Sequence, residues 1–154
     1  MINRSILQDL QEALAVFPVV LLCGARQVGK STLVLSLCEH YITLDDITQL
    51  DGAREDPRRF IQELLRPIVI DEIQKAPELL PAIKEEVDRK RKNGDFLLTG
   101  SANLLGYKKV TESLAGRMGV MELLPLSCRE IANRVDTNLV DDLFTEKWLK
   151  KNQP

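Results

Sequence analysis

The sequence predicts an α/β domain built on a mostly parallel sheet, and three observations carry that reading. Gly24-Ala25-Arg26-Gln27-Val28-Gly29-Lys30-Ser31 has the spacing G-x-x-x-x-G-K-[ST], with the apolar run Val19–Cys23 before it and the apolar-faced segment Thr32–Cys38 after it. Ile68-Val69-Ile70 is a continuous β-branched run that ends in Asp71-Glu72, as expected for a strand covered on both faces of a parallel sheet. Phe96-Leu97-Leu98 is a further buried-type strand ending in Thr99-Gly100-Ser101, and segments with helical apolar spacing separate these runs.

The 154 residues suit one main domain, with 44% hydrophobic and 29% charged residues as in ordinary globular proteins. A formal net charge of −2 argues against nucleic-acid binding through bulk electrostatics. Cys23, Cys38 and Cys128 are odd in number, lack metal-ligand spacing and lie in or beside apolar segments. They are expected as packed free thiols in a reducing cytoplasm. The single His40 cannot build a His-based metal site and is expected to be structural. No apolar run approaches the ~20 residues of a membrane span, and no signal-type apolar stretch stands at the N-terminus. A soluble, cytoplasmic protein is expected.

Along the chain, Ser5 with Gln8 in capping-box spacing opens a first helix with the stripe Ile6, Leu10, Leu14 and Phe17, ended by Pro18. The first strand, the Gly-rich loop and its helix follow. Tyr41–Leu44 reads as a second strand closed by Asp45 and Asp46. Asp56-Pro57 starts a helix whose buried face is Phe60, Ile61, Leu64 and Leu65, and Pro67 stops it. After the acidic strand, Pro77 and Pro81 sit near the start of a helix carrying Leu79, Leu80, Ile83 and Val87. It ends in Arg89-Lys90-Arg91-Lys92 before an Asn93-Gly94 turn. Those cations could meet nucleic acid, but a solvated helix end complementing the helix dipole is the preferred reading. Val120–Leu124 is a further strand, Ser127 and Glu130 form a second capping box, and a last helix bears Leu139, Val140, Leu143, Phe144 and Trp148 on one side. That stripe is expected to meet the core, a protein partner or a further domain.

The chemistry follows from residue types. Backbone N–H groups of a Gly-rich loop opening a helix converge on a concavity that suits phosphate oxygens. The whole stretch Gly24–Thr32 is therefore expected to bind nucleotide, with Gly24 and Gly29 permitting the backbone, Lys30 reaching the β- and γ-phosphates and Ser31 offering its hydroxyl to Mg²⁺. Acidic residues at the C-terminal end of a parallel strand lie where ligands bind in open α/β sheets. Asp71 is expected to hold Mg²⁺ through water and Glu72 to orient or deprotonate the attacking water. Thr99 or Ser101 could hold the lytic water or the γ-phosphate. Arg117 reads either as a phosphate contact, in its own chain or a neighbour's, or as a surface partner of Glu122.

Taken together, Gly-Ala-Arg-Gln-Val-Gly-Lys-Ser-Thr (24–32), Ile-Asp-Glu-Ile-Gln-Lys-Ala-Pro-Glu-Leu-Leu (70–80), Leu-Thr-Gly-Ser-Ala (98–102), Ser-Leu-Ala-Gly-Arg (113–117) and Leu-Pro-Leu-Ser (124–127) resemble a prokaryotic AAA-superfamily ATPase group, domain family fourteen of the AAA set. The resemblance implies a P-loop NTPase core over residues 1–131: a three-layer α/β/α sandwich on a five-stranded, mostly parallel sheet of order 5-1-4-3-2. It further implies that Lys30 and Ser31 are Walker A residues, Asp71 and Glu72 Walker B, Thr99 or Ser101 the sensor (with Ser101 taken among the catalytic set), and Arg117 the arginine near the nucleotide. Ala25 stands where the family usually has Pro, and Ser31 where Thr is commoner. Family members usually continue into a long C-terminal region resembling restriction endonucleases, so residues 132–154 are expected to begin a region that stops short here. Adenine over guanine rests on the resemblance and on the absence of an N-K-x-D pattern. The expected function is Mg²⁺-dependent ATP hydrolysis to ADP and phosphate, coupled to a conformational change; the alternative is a nucleotide-dependent switch or interaction module with little hydrolysis.

Overall fold

The computed structural model describes residues 4–101 and 114–131, so Ser113 and the 139–148 stripe lie outside the described residues. The chain forms two compact units, Ile6–Pro125 and a second that joins Met1–Ser5 to Leu126–Pro154.

The first unit is organised on strands β1 (Val19–Gly24), β2 (His40–Thr43), β3 (Ile68–Asp71), β4 (Phe96–Ser101) and β5 (Met118–Leu123). They pair in parallel throughout, in the order β2-β3-β4-β1-β5, which is the expected 5-1-4-3-2 read from the other edge. Helices α1 (Ile6–Val16), α2 (Lys30–Val34), α3 (Ile47–Glu55), α4 (Pro57–Glu63) and α5 (Leu79–Lys90), with a 3₁₀ turn at Ile73–Lys75, connect them.

Successive strand residues face opposite layers, so a strand buried on both sides must be apolar throughout. Val19 and Leu21 of β1, Ile68 and Ile70 of β3, and Phe96 and Leu98 of β4 pack with Ala53, Ile61, Leu79, Ile83 and Val87. Their neighbours Val20, Leu22, Val69 and Leu97 pack on the other face with Leu10, Leu33 and Val34. Helices α3, α4 and α5 thus cover one face and α1 and α2 the other, a three-layer α/β/α sandwich. The parallel register brings the C-terminal ends of β1, β3 and β4 to one edge: Gly24 lies beside Ser101, and Thr43 beside Asp71.

Several local expectations need correction. Helix α2 stops at Val34 and continues only as turns through Leu37. Helix α4 ends at Glu63, with Leu64 already extended, so Leu65 projects into solvent at 71% exposure instead of joining the buried face. Gln8 Nε2 donates to Glu12, and the Ser5 N–H to Glu130, so the Ser5–Gln8 capping box does not form. Cys23 is buried and Cys38 half-buried, but Cys128 is exposed. Helix α3 lies in a stretch without a strong apolar stripe; Asp46 caps it by accepting from Thr48 N–H at 2.8 Å.

At the opposite edge of the sheet, a cluster of charges is buried. Arg66 Nη1 donates to Glu86 Oε1 at 2.8 Å, and its guanidinium lies 4.7 Å from the centroid of Phe96. Arg89 and Lys90 are exposed, as expected of a solvated helix end, and also reach back to the same Glu86 at 2.6 and 3.1 Å, while exposed Lys92 lies 3.5 Å from Asp95. Arg91 caps α5 in a left-handed conformation, φ 43°. Burial alone would raise the Glu86 pKa, but hydrogen bonds from Arg89, Arg66 and Lys90 outweigh it and hold the group at about 2. In the second unit the Ser127–Glu130 capping box forms as expected, with Ser127 N–H donating to Glu130 at 2.8 Å and Glu130 N–H to Ser127 Oγ at 3.2 Å, opening α6 (Cys128–Ile131). Glu130 also accepts from Ser5 N–H and Arg4 Nε, and these bonds overcome its burial to hold it at about 2.

Because the folded-state pKa of Glu86 lies below its ordinary value of 4.5, its stabilising contribution is complete above that value and is lost as pH falls toward 2. A shift of this size corresponds to about 3 kcal/mol. Urea unfolding at stepped pH is expected to show the natural chain losing more stability than Glu86→Gln across that window, although the variant is weaker at neutral pH; parallel curves would remove Glu86 as a cause of acid sensitivity.

Candidate functional site

The site is built where β1, β3 and β4 end. At Gly24 an added Cβ would stand 2.5 Å from the carbonyl oxygen of Leu123 in β5, so packing against the neighbouring strand demands glycine there. The loop then passes through left-handed backbone at Gln27 (φ 64°) and Gly29 (φ 93°). Glycine adopts this freely; at Gln27 it costs about 1 kcal/mol. Backbone of this kind turns N–H groups toward a shared concavity. Lys30 is buried and curls back, donating from Nζ to the carbonyls of Gly24 at 3.1 Å and Ala25 at 2.9 Å, two of its three donors.

Asp71, the last residue of β3, is 4% exposed. Three hydroxyls from three other elements meet its carboxylate. Ser31 Oγ donates to Oδ2 at 2.8 Å, Tyr41 OH donates to Oδ2 at 2.6 Å, and Thr99 Oγ1 donates to Oδ1. Thr99 also accepts the Glu72 N–H at 3.1 Å, linking both acidic residues to β4. Burial, then the hydrogen bond to Asp71 and its negative charge, push the Tyr41 phenol up to about 12, so it stays a donor at every ordinary pH.

Glu72 takes a left-handed conformation, φ 61°, and starts the 3₁₀ turn. Its carboxylate accepts from Gln74 Nε2. The other amide atom, Gln74 Oε1, is buried and receives no hydrogen bond from any described residue, a state that costs about 1–3 kcal/mol. Arg54 Nη2 donates to Lys75 O at 2.8 Å and steadies the turn, and Lys75 Nζ stands 2.5 Å from Asp45. These groups enclose an open cleft of about 700 Å³, lined on one side by Arg26, Gln27 and Gly29 to Thr32 and on the other by Asp45, Glu72, Gln74 and Lys75.

The fold therefore brings together the loop Gly24–Thr32, Asp71, Glu72 and Thr99. Ala25 contributes its carbonyl to Lys30, while Val28 faces the apolar layer. Ser101 sits at the end of β4 beside Gly24, two residues beyond Thr99 on the same strand face. Arg117 is not brought to the cleft. It immediately precedes β5, its carbonyl accepting from Val19 N–H at the start of β1, the far edge from the loop. There it pairs with Asp88 at 2.5 Å, not with Glu122. Tyr41, Asp45, Gln74 and Lys75 were not singled out as site residues by sequence; Tyr41 reads as an ordinary strand residue until β2 is registered against β3, which sets it on the face of Val69 and Asp71.

A family profile described as an AAA domain, the fourteenth of that set, matches residues 16–132. The chain belongs to this AAA family. The uncharacterized proteins Mb2031c of Mycobacterium bovis and Rv2008c of Mycobacterium tuberculosis are each 36% identical over 157 residues, covering 99% of this chain and 33% of theirs. The chain thus spans about a third of the length of these curated relatives. The Walker-type ATPase PABY2304 of Pyrococcus abyssi superposes with a TM-score of 0.52 at 14% identity, covering 100% of this chain and 60% of that one; the likeness is one of fold. Among the described residues, no helix is long and apolar enough to cross a membrane.

Thr99 carries two bonds at the strand ends, so Thr99→Val leaves Asp71 Oδ1 and the Glu72 N–H unpaired and is expected to lower stability by about 1–3 kcal/mol. Thr99→Ser is expected to recover most of that in denaturant titration. Equal losses for both variants would place the effect in packing.

Proposed function

We propose that the chain binds ATP with Mg²⁺ in this cleft and hydrolyses it to ADP and phosphate, the turnover driving a conformational change in the longer protein architecture of its family. The observation that carries the reading is the 2.8 Å bond from Ser31 to Asp71, which joins the phosphate loop to the acidic strand end in one site. The residues suit a cation-bound triphosphate. Among the described residues, no cluster of three His, Cys, Asp or Glu side chains could hold a metal on its own. That suits Mg²⁺, which keeps waters and takes one or two protein ligands plus phosphate oxygens. Ser31 Oγ would bind it directly and Asp71 through water, and when bound it neutralises charge on the phosphate oxygens.

The remaining roles belong to the chain itself. The loop amides from Gly24 to Thr32 cradle the phosphates, and Lys30 exchanges its carbonyl partners for β- and γ-oxygens. Glu72 orients and deprotonates the attacking water, and Ser101 meets the terminal phosphate while Thr99 fixes Asp71. Such positioning and charge neutralisation can supply most of the rate of phosphoryl transfer. Arg117, at the far edge of the sheet, would serve a neighbouring chain's nucleotide. An arginine supplied in this way is worth 10³–10⁵ in rate, so the isolated chain is expected to bind well and turn over slowly. That distance also favours the second reading, a nucleotide-dependent switch. The 139–148 stripe would dock a protein partner or the rest of a longer chain. The free thiols support a cytoplasmic setting.

Melting is measured with and without MgATP for the natural chain and Lys30→Ala, and phosphate release for Glu72→Gln. Nucleotide at about a hundred times its dissociation constant is expected to add about 2.7 kcal/mol to the natural chain and much less to the variant. A shift that survives loss of Lys30 puts the nucleotide elsewhere. Phosphate release unchanged in Glu72→Gln rejects hydrolysis at this site.

A further inference from the structure

Gln74 is the cleft residue whose bonding is incomplete in a directed way. Its Nε2 donates to the Glu72 carboxylate, and because a carboxylate oxygen only accepts, the amide cannot be turned over without setting oxygen against oxygen. Oε1 is thereby fixed in direction, and it is buried and receives no hydrogen bond from any described residue. The side chain is carried by the short turn Ile73–Lys75, which is pinned by fully buried Ile73 on one side and by Arg54 on the Lys75 carbonyl at 2.8 Å. Both Gln74 and Glu72 line the cleft opposite Lys30 and Ser31.

We propose that Gln74 is a positioning residue for the attacking water, acting together with Glu72; the inference rests on the hydrolytic reading above. Its amide N–H₂ holds the Glu72 carboxylate in one rotamer, and its carbonyl oxygen, buried in this structure, is uncovered when nucleotide fills the cleft and accepts one O–H of the water whose other O–H points at Glu72. With both hydrogens directed, the water's lone pair faces the terminal phosphorus. The water oxygen then bonds to phosphorus while the bond to the bridging oxygen breaks, and ADP leaves with that electron pair. The proton leaving water is held by Glu72 and passes to the product phosphate; the hydrogen directed at Gln74 stays on the new P–O–H group.

The test uses Gln74→Met, which keeps length and loses both polar atoms, and Gln74→Glu, which keeps shape and acceptor but replaces the donor with an oxygen and sets a second negative charge against Glu72. Steady-state phosphate release is expected to show kcat falling about 10- to 100-fold in both variants, with KM for MgATP within about twofold. A second readout needs no turnover: the melting shift with MgADP, before and after adding aluminium fluoride to mimic the transferring phosphoryl group with its in-line water. The MgADP shift is expected to be unchanged by either substitution and the extra fluoride-dependent shift to be lost. An unchanged kcat with the fluoride increment retained overturns the role, as does a parallel loss of kcat, MgADP binding and melting temperature without nucleotide. Should Glu72→Gln abolish phosphate release while both Gln74 variants behave as the natural chain, the Gln74 role alone fails. If the natural chain shows neither release nor a fluoride increment, the hydrolytic reading fails with it.

Discussion

The structure turns on one carboxylate. Asp71 ends a fully buried strand, and a buried acidic group is costly unless its oxygens are met by donors. Ser31, Tyr41 and Thr99 supply them from α2, β2 and β4. The hydroxyls come from one helix and two strands, so the Asp71 cluster reports whether the whole edge is assembled. It also ties the Gly-rich loop to the sheet, because Ser31 lies one residue after Lys30 at the start of α2.

This arrangement explains how polar groups survive at the margin of an apolar interior. Strands β1, β3 and β4 are buried over nearly their entire length, and their polar residues are confined to the last positions. There the backbone departs from regular geometry, at Gln27, Gly29 and Glu72. Left-handed conformations at Gln27 and Glu72 are each unfavourable by an amount of order 1 kcal/mol, and such conformations cluster where side chains must be aimed. The opposite edge solves a similar problem differently: Arg66, Glu86 and Asp95 are buried as a paired group with Phe96 beneath the guanidinium. One edge holds its charge with hydroxyls that a cation and phosphate could exchange; the other is closed by ion pairs.

Much of this was legible in the sequence because it is written in local composition. The loop spacing, the uninterrupted apolar strands and the acidic pair each depend on neighbours within a few positions, and the sheet order followed from the resemblance those motifs carry. What was missed depends on contacts distant in sequence. Tyr41 joins the site through the β2–β3 register, and Lys75 through Asp45, thirty positions earlier. Gln74 lies within a familiar motif, yet only the left-handed turn at Glu72 brings its amide back onto the carboxylate. Leu65 was misread because α4 ends before the Arg66-Pro67 boundary that proline seemed to set.

The central claim is that loop and acidic strand end act as one cation-dependent phosphate site. A double-mutant cycle on Ser31→Ala and Asp71→Asn, read by calorimetric ATP binding with Mg²⁺ and again with chelator, tests it most directly. The account predicts a coupling energy above about 1 kcal/mol with Mg²⁺ that collapses in chelator. Additive effects under both conditions would contradict it.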